Sequence, residues 1–295
     1  MINSNKENKW LIGIDLDGTF LKDGIQGQRN YNLSKENIKI IKKVIDMGHK
    51  VAIITGRPWD QTKIIYDKLK FRTIVANYNG AHIHIPDDKA FIPVVYSMNK
   101  NILEKIFNEE IIKKAFNGVI IETINRTFTQ EEGAHLAKKI MGVGTIYNYE
   151  KWKLGQKVPV DPQNTLIGIK LDVGIHPYEI LQTLNRKYGN SMFFRLWDGR
   201  NNEENPWVIL EINQKASNKG TALEYIASYY NIPLNRTIAF GDGMNDREML
   251  LKASVGVAMK NSKGTIKTYA KDTTDYTNNE AGVGRYLEEF FNIKK

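Results

Sequence analysis

Three short apolar runs, at residues 10–14, 51–54 and 237–240, each stop abruptly in a knot of polar residues and glycine. The first runs into Asp15-Leu16-Asp17-Gly18-Thr19, the second into Thr55-Gly56-Arg57-Pro58, and the third into Gly241-Asp242-Gly243-Met244-Asn245-Asp246. Between the first two, Ser34 stands as an N-cap before Ile38, Ile41 and Ile45, whose spacing gives one apolar helical face, and Gly48 closes the element. Strand, helix and strand at this spacing predict a parallel sheet. In such sheets ligands lie beyond the carboxyl ends of the strands, so the knots are expected to converge on one site.

The rest of the chain is read in the same way. A third short strand is expected at 73–76, followed by Asn79-Gly80, and residues 81–95 alternate about Pro86-Asp87-Asp88 as a hairpin. A helix beginning near Ser97, with Leu103, Ile106, Phe107 and Ile111, opens a stretch of different character. Here the pattern predicts a strand at 119–124, a helix at 130–141, a strand at 166–171, a helix at 177–188, and strands at 192–197 and 207–212, together an α+β module. The parallel pattern resumes with a helix at 219–230, the strand at 237–240, a short helix, a strand at 255–259 and a closing helix at 281–291. The chain thus divides into a first core part, 1–95, an inserted module, 96–212, and a second core part, 213–295. Insertion at a loop is tolerated because the ends of the inserted piece lie close together.

Composition narrows the chemistry. The 295 residues, 41% hydrophobic and 25% charged, suit a folded protein of two domains. With no cysteine, thiolate metal sites, disulfides and thiol nucleophiles are excluded, leaving oxygen and nitrogen groups. The polar N-terminus and the lack of any apolar stretch of about 18 residues lead us to expect a cytoplasmic enzyme with no membrane partner. The formal charge of +9 is spread along the chain, without a Lys/Arg block interleaved with aromatics, and no nucleic-acid partner is expected. Of the five histidines only His82 and His84 share a strand face, with no third ligand nearby to make a zinc site.

Asp15 and Asp17 would share a face if extended geometry persisted beyond the first strand, with Leu16 turned into the core. Carboxylates that close repel unless a cation intervenes, and Mg²⁺, bound through few protein oxygens, is the usual solution. Gly18 permits the turn, where freed backbone amides can receive phosphoryl oxygens. The Thr55 hydroxyl and Gly56 amide offer a second such cradle. Lys219, at a helix start, opposes the helix dipole, and a local misfit of this kind marks function. Asp242 is suited to complete a metal shell that Asn245 and Asp246 orient.

Together with Asn218-Lys219-Gly220, these segments resemble the four ordered motifs of the haloacid dehalogenase-like (HAD) superfamily, specifically its Cof-type hydrolase branch, subfamily IIB. Asn79-Gly80-Ala81 and the placement of the inserted module fit that branch, so the resemblance spans essentially the whole chain. It implies an α/β fold: a Rossmann-like parallel-sheet core with an inserted α+β cap domain of the C2B type. It further implies a Mg²⁺-dependent phosphatase acting on a small phosphorylated metabolite, either a sugar phosphate or a cofactor-type phosphate. On the same resemblance Asp15 is the nucleophile and a metal ligand, and Asp17 is the general acid/base, its backbone carbonyl touching the metal. Thr55 and Lys219 stabilise the phosphoryl oxygens, Asp242 and Asp246 complete the metal site, and Leu16, Gly56 and Asn245 join the phosphate-binding positions. In the cap, Arg195, Trp197 and Arg200 are candidate substrate contacts, the bland alternative being an exposed hairpin turn around a core aromatic. The expected assembly is a monomer or weak homodimer. Two other functions are compatible: a phosphomutase of a related branch, separable by product analysis with a hexose 1-phosphate, and a non-catalytic anion- or nucleic-acid-binding protein retaining the fold.

Overall fold

The computed structural model describes residues 9–24, 30–130, 149–159, 164–201 and 206–293. All four residues of β1 (Leu11–Ile14) are buried, so both faces of its sheet must be covered. Ser34 caps α1 (Lys35–Asp46), its hydroxyl accepting the Asn37 N–H, and Gly48, at φ 90°, turns the chain into β2 (Lys50–Ile54). Next come α2 (Trp59–Leu69), β3 (Val75–Asn77), β4 (His82–His84) and β5 (Val94–Val95).

The inserted stretch comprises α3 (Lys100–Asn108), α4 (Glu110–Ala115), β6 (Phe116–Thr123), β7 (Thr127–Thr129), β8 (Tyr149–Lys151), β9 (Asn164–Leu171), α5 (Pro177–Tyr188), β10 (Met192–Asp198) and β11 (Val208–Gln214). The chain closes with α6 (Lys219–Tyr229), β12 (Thr237–Gly241), α7 (Arg247–Lys252), β13 (Val255–Ala258), β14 (Asp272–Thr273) and α8 (Gly282–Phe290).

The described residues form two compact units, one of 9–24, 30–94 and 218–293, the other of 95–217. In the first, eight strands run in the order β14-β13-β12-β1-β2-β3-β4-β5. β14 through β3 are parallel, and β4 pairs antiparallel with β3. This is a doubly wound α/β core, as the resemblance implies. Ile12, Ile14, Ile53, Phe240, Ile41 and Leu287 lie in its apolar cluster. The second unit is the inserted module: a six-stranded sheet, β10-β11-β9-β6-β7-β8, antiparallel except where β7 meets β8. It has its own apolar cluster, including Leu103, Ile121, Ile169, Leu184 and Leu210.

Several boundaries differ from those expected, for local reasons. The third strand begins at Val75 instead of Thr73, because the Ile74 N–H is taken by the Tyr230 hydroxyl at 3.0 Å. The helix expected near Ser97 starts after Asn99, whose Oδ1 accepts the N–H groups of Asn101 and Ile102 at 2.9 and 3.3 Å. α2 was not anticipated: its buried face includes Gln61 and Thr62, which blur the apolar period. Apart from Gln130, the helix expected at 130–141 lies outside the described residues.

His82 and His84 stack face to face at 4.3 Å in the buried strand β4. Burial pulls their pKa values down to about 4 and about 3, His84 being lowered further by His82. Both are therefore neutral in the folded protein, whereas an unfolded chain protonates them below about pH 6.5. The unfolded state then binds more protons, so these groups lower stability as pH falls from about 6.5 toward about 4. The double variant His82→Gln/His84→Gln should show a flatter decline of the urea midpoint between about pH 7 and pH 5 than the wild type. Equal declines would show that the imidazoles do not carry this dependence.

Candidate active site

The parallel register brings the polar knots together. Ile14 pairs with Ile53 on one side and Phe240 on the other, so Asp15, the residues after β2 and Asp242 leave the sheet at one edge. The Asp15 N–H continues the ladder to the Phe240 carbonyl at 3.2 Å. Beyond it the backbone turns sharply over Leu16–Phe20, with Gly18 at φ 67°. A Cβ on Gly18 would collide with the Asp242 carboxylate, so glycine serves here both for its backbone angle and for the close approach.

Asp15, Asp242 and Asp246 each offer a carboxylate oxygen, and these oxygens lie within 4.8 Å of one another. Lys219, the first residue of α6, is 0% exposed, and its Nζ lies 2.6 Å from Asp15 Oδ1 and 2.6 Å from Asp246 Oδ1. Asn218 caps that helix by accepting the Thr221 N–H at 2.9 Å, which fixes where the lysine enters the site. The other oxygen of Asp246 accepts the N–H groups of Asp242 and Gly243, both at 3.0 Å. Asp246 thus anchors both the lysine and the loop that presents Asp242. Thr19 donates its hydroxyl to Asp242 at 3.3 Å, and Asn261 donates to the Gly18 carbonyl at 2.7 Å.

Three carboxylates against one ammonium leave an excess of negative charge in a poorly hydrated place. Burial raises Asp15 well above the usual carboxylate range; Lys219 opposes this, while Asp246 and Asp242 add to it. Burial, reinforced by Asp246, pushes Asp242 up to about 7. Lys219 loses solvation, but Asp15 and Asp246 more than offset that and hold it protonated. A divalent cation would relieve the strain on the carboxylates, and the all-oxygen donor set suits Mg²⁺. Asp15 and Asp242 are placed to hold it, with Asp246 behind them.

Asp17 behaves differently from the expectation that it shares a face with Asp15. β1 ends at Ile14 and, although Asp15 is still extended, the chain then turns over Leu16–Phe20; the Asp17 carboxylate, 58% exposed, lies outside the acidic cluster and accepts from Nε and Nη2 of Arg57. The Arg57 Nε contact to Asp17 Oδ2 measures 2.7 Å, and the third guanidinium nitrogen, Nη1, donates to the Asn30 carbonyl at 2.9 Å. Thr55 is buried and accepts the Arg57 N–H at 3.2 Å, and Gly56 follows it in the same loop. Leu16 is fully buried, as expected. Asn245 donates to Asn79 Oδ1 at 3.0 Å. Arg57, Asn79, Thr19 and Asn261 had been given no role from sequence. Of these Thr19, Arg57 and Asn79 carried a signal there, each standing in a segment that matches the family's pattern, whereas Asn261 carried none.

Arg195, Trp197 and Arg200 belong to the second unit. Arg195 lies 3.7 Å from Glu211 and over the Phe193 and Trp197 rings, and the Trp197 indole N–H donates to Glu211. Arg200 pairs with Asp198 at 2.6 Å. No helix among the described residues is long and apolar enough to cross a membrane.

Comparison with known proteins agrees with this geometry. The haloacid dehalogenase-like hydrolase family matches residues 12–287, and the chain belongs to that family. It is 32% identical over 288 residues to the 5-amino-6-(5-phospho-D-ribitylamino)uracil phosphatase YitU of Bacillus subtilis, covering 96% of this chain and 98% of the relative. It is 27% identical over 293 residues to phosphatase YwpJ of the same organism, covering 94% and 98%. Among solved structures, the HAD subclass IIB sugar phosphatase BT4131 superposes with a TM-score of 0.73 at 18% identity, over 97% of this chain and 100% of that one. The protein is a HAD-type phosphomonoester hydrolase, and phosphoryl transfer centres on its aspartate cluster.

Removing one partner from a buried ionic cluster costs about 3–5 kcal/mol. Lys219→Ala should therefore lower unfolding free energy by that order in urea titration; a loss under about 1 kcal/mol would mean the carboxylates are not ionised against it. Saturating Mg²⁺, at about a hundredfold over its Kd, should stabilise the wild type by about 2.7 kcal/mol, and the gain should be largely lost in Asp242→Asn.

Proposed function

We propose that the protein hydrolyses a small phosphorylated metabolite in two steps through a phosphoryl ester on Asp15. The observation that carries this reading is the buried Lys219 held between Asp15 and Asp246 at 2.6 Å from each, beside Asp242. That arrangement sets the Asp15 carboxylate against a fixed cation and leaves a net negative charge for a divalent ion to neutralise, and positioning with electrostatics dominates phosphoryl transfer. In the first step an Asp15 oxygen attacks phosphorus as the ester P–O bond breaks, and Asp17 gives its proton to the departing oxygen. In the second, Asp17 takes a proton from water, the water oxygen attacks the same phosphorus, and the bond to Asp15 breaks to release inorganic phosphate. Asp15 and Asp242, with the Asp17 carbonyl and with Asp246 behind them, would hold Mg²⁺, which would supply neutralising charge. Lys219, the Thr55 hydroxyl, Asn245 and the amides at Leu16 and Gly56 bind the phosphoryl oxygens.

Asp17 must leave Arg57 to do this. Arg57 holds the carboxylate through Nε and Nη2, and that grip has to open before Asp17 can reach the leaving oxygen. The 95–217 unit serves as the cap, and Arg195, Trp197 and Arg200 are its candidate substrate contacts.

The names of the relatives guide the substrate class. One acts on a phosphorylated ribityl chain joined to a pyrimidine, and a structural neighbour is a sugar phosphatase. Open-chain or cyclic sugar phosphates, with or without a heterocycle, are therefore the substrates of choice.

Asp15→Asn should abolish Mg²⁺-dependent release of phosphate from p-nitrophenyl phosphate while keeping the far-ultraviolet circular dichroism of the folded protein. Substantial turnover in that variant would remove Asp15 as nucleophile. Across sugar phosphates, phosphorylated ribitylaminopyrimidine and phosphorylated cofactors, Asp17→Asn should slow alkyl esters far more than p-nitrophenyl phosphate in the burst phase. Equal slowing would argue against proton donation to the leaving oxygen.

A further inference from the structure

Directly after β3 the chain carries three successive residues through left-handed backbone: Tyr78 at φ 51°, Asn79 at φ 55° and Gly80 at φ 95°. All three are buried. Asparagine and glycine tolerate this region, but a bulky side chain such as Tyr78 is strained there, and such strain survives only where the surroundings over-determine it.

The surroundings do so. The Tyr78 N–H donates to the Arg57 carbonyl at 3.2 Å and the Asn79 N–H to the Thr55 carbonyl at 2.9 Å, pinning the turn to the loop that carries Thr55 and Gly56. Asn77 Nδ2 adds a bond to the Arg57 carbonyl at 2.9 Å. On the other side, Gly80 packs against the start of α6, where a Cβ would sit 2.6 Å from the Asn218 carbonyl oxygen. The turn is therefore wedged between the loop after β2 and the residue preceding Lys219.

What this places is the Asn79 side chain. Its Oδ1 accepts a hydrogen bond from Asn245 Nδ2 at 3.0 Å, and a Cβ on Gly56 would stand 3.2 Å from the same oxygen. An amide oxygen only accepts, so it dictates which edge of the Asn245 amide faces it and leaves the second N–H of that amide free to point elsewhere. A carboxamide on an open loop would otherwise rotate.

We propose that Asn79 is a positioning residue for the phosphate site. The strained turn holds its amide oxygen against Asn245, so that the remaining Asn245 N–H is presented to a phosphoryl oxygen. Asn79 itself does not touch the phosphate. This rests on the reading above that Asn245 binds the phosphoryl group.

The test is a double-mutant cycle on the full chain with Mg²⁺, reading the inhibition constant of inorganic phosphate, kcat and KM for p-nitrophenyl phosphate, and the thermal midpoint. Glycine accepts the φ of Asn79, so Asn79→Gly should keep the thermal midpoint while weakening phosphate inhibition about tenfold, the order expected for one hydrogen bond. Asn245→Ala should weaken it at least as much. In the Asn245→Ala background, Asn79→Gly should then cost less than about twofold, since the amide that its side chain orients has gone. Equal costs of Asn79→Gly in both backgrounds, or unchanged phosphate inhibition in Asn79→Gly, would overturn the assignment. Either result, with Asp15-dependent turnover intact, leaves the phosphatase reading standing. A wild type without Asp15-dependent turnover would bring down that reading and this assignment with it.

Discussion

A lysine ammonium sealed from solvent is the constraint around which the core is organised. Lys219 can stay charged there only because Asp15 and Asp246 each approach it to 2.6 Å, and an uncompensated buried charge would be prohibitive. The same contact ties the start of α6 to the end of β1 and the loop after β12, which sheet pairing already sets side by side. Since Asp242 and Asp246 share that loop, the lysine also sets the spacing of the acidic group as a whole. The remaining negative charge makes a divalent cation the natural complement; burial raises Asp15 and Asp242, and the neighbouring carboxylates add to that rise.

Around this centre the division of labour follows from backbone geometry. Parallel strands in register deliver their ends to one edge, and the tight turns that follow supply amides and short polar side chains. Asp246 spends one oxygen on the lysine and the other on two backbone N–H groups, which makes it as much a brace as a ligand. Arg57 performs a comparable service for Asp17, holding it outside the cluster, so that the two aspartates of one short segment have opposite environments. In the proposed reaction the buried member of the pair attacks and the exposed one carries the proton.

The second unit follows different rules. Its antiparallel sheet and separate apolar cluster let it fold around its own contacts, and Arg195, Trp197 and Arg200 are already held by Glu211 and Asp198. Any substrate contact by these groups has to compete with those partners, which favours a ligand offering an anion or a ring in exchange.

The class of fold, the insertion and the positions of Asp15, Lys219, Asp242 and Asp246 were legible in the residues alone, because short apolar runs ending in polar knots are a local pattern. Helix α2 was not legible, since its buried face carries Gln61 and Thr62, and Thr73 was misplaced into a strand that a hydrogen bond from Ile74 to Tyr230 delays. Nor did the sequence reveal that Asp17 faces Arg57, that Asn79 faces Asn245, or that Lys219 has two acidic partners. These pairs are separated by 40, 166 and up to 204 residues. Periodicity and motif spacing report which residue types stand near one another along the chain. Which side chains share a proton, a charge or an amide orientation is decided only when the folded backbone sets their distances and excludes the water that would otherwise screen them.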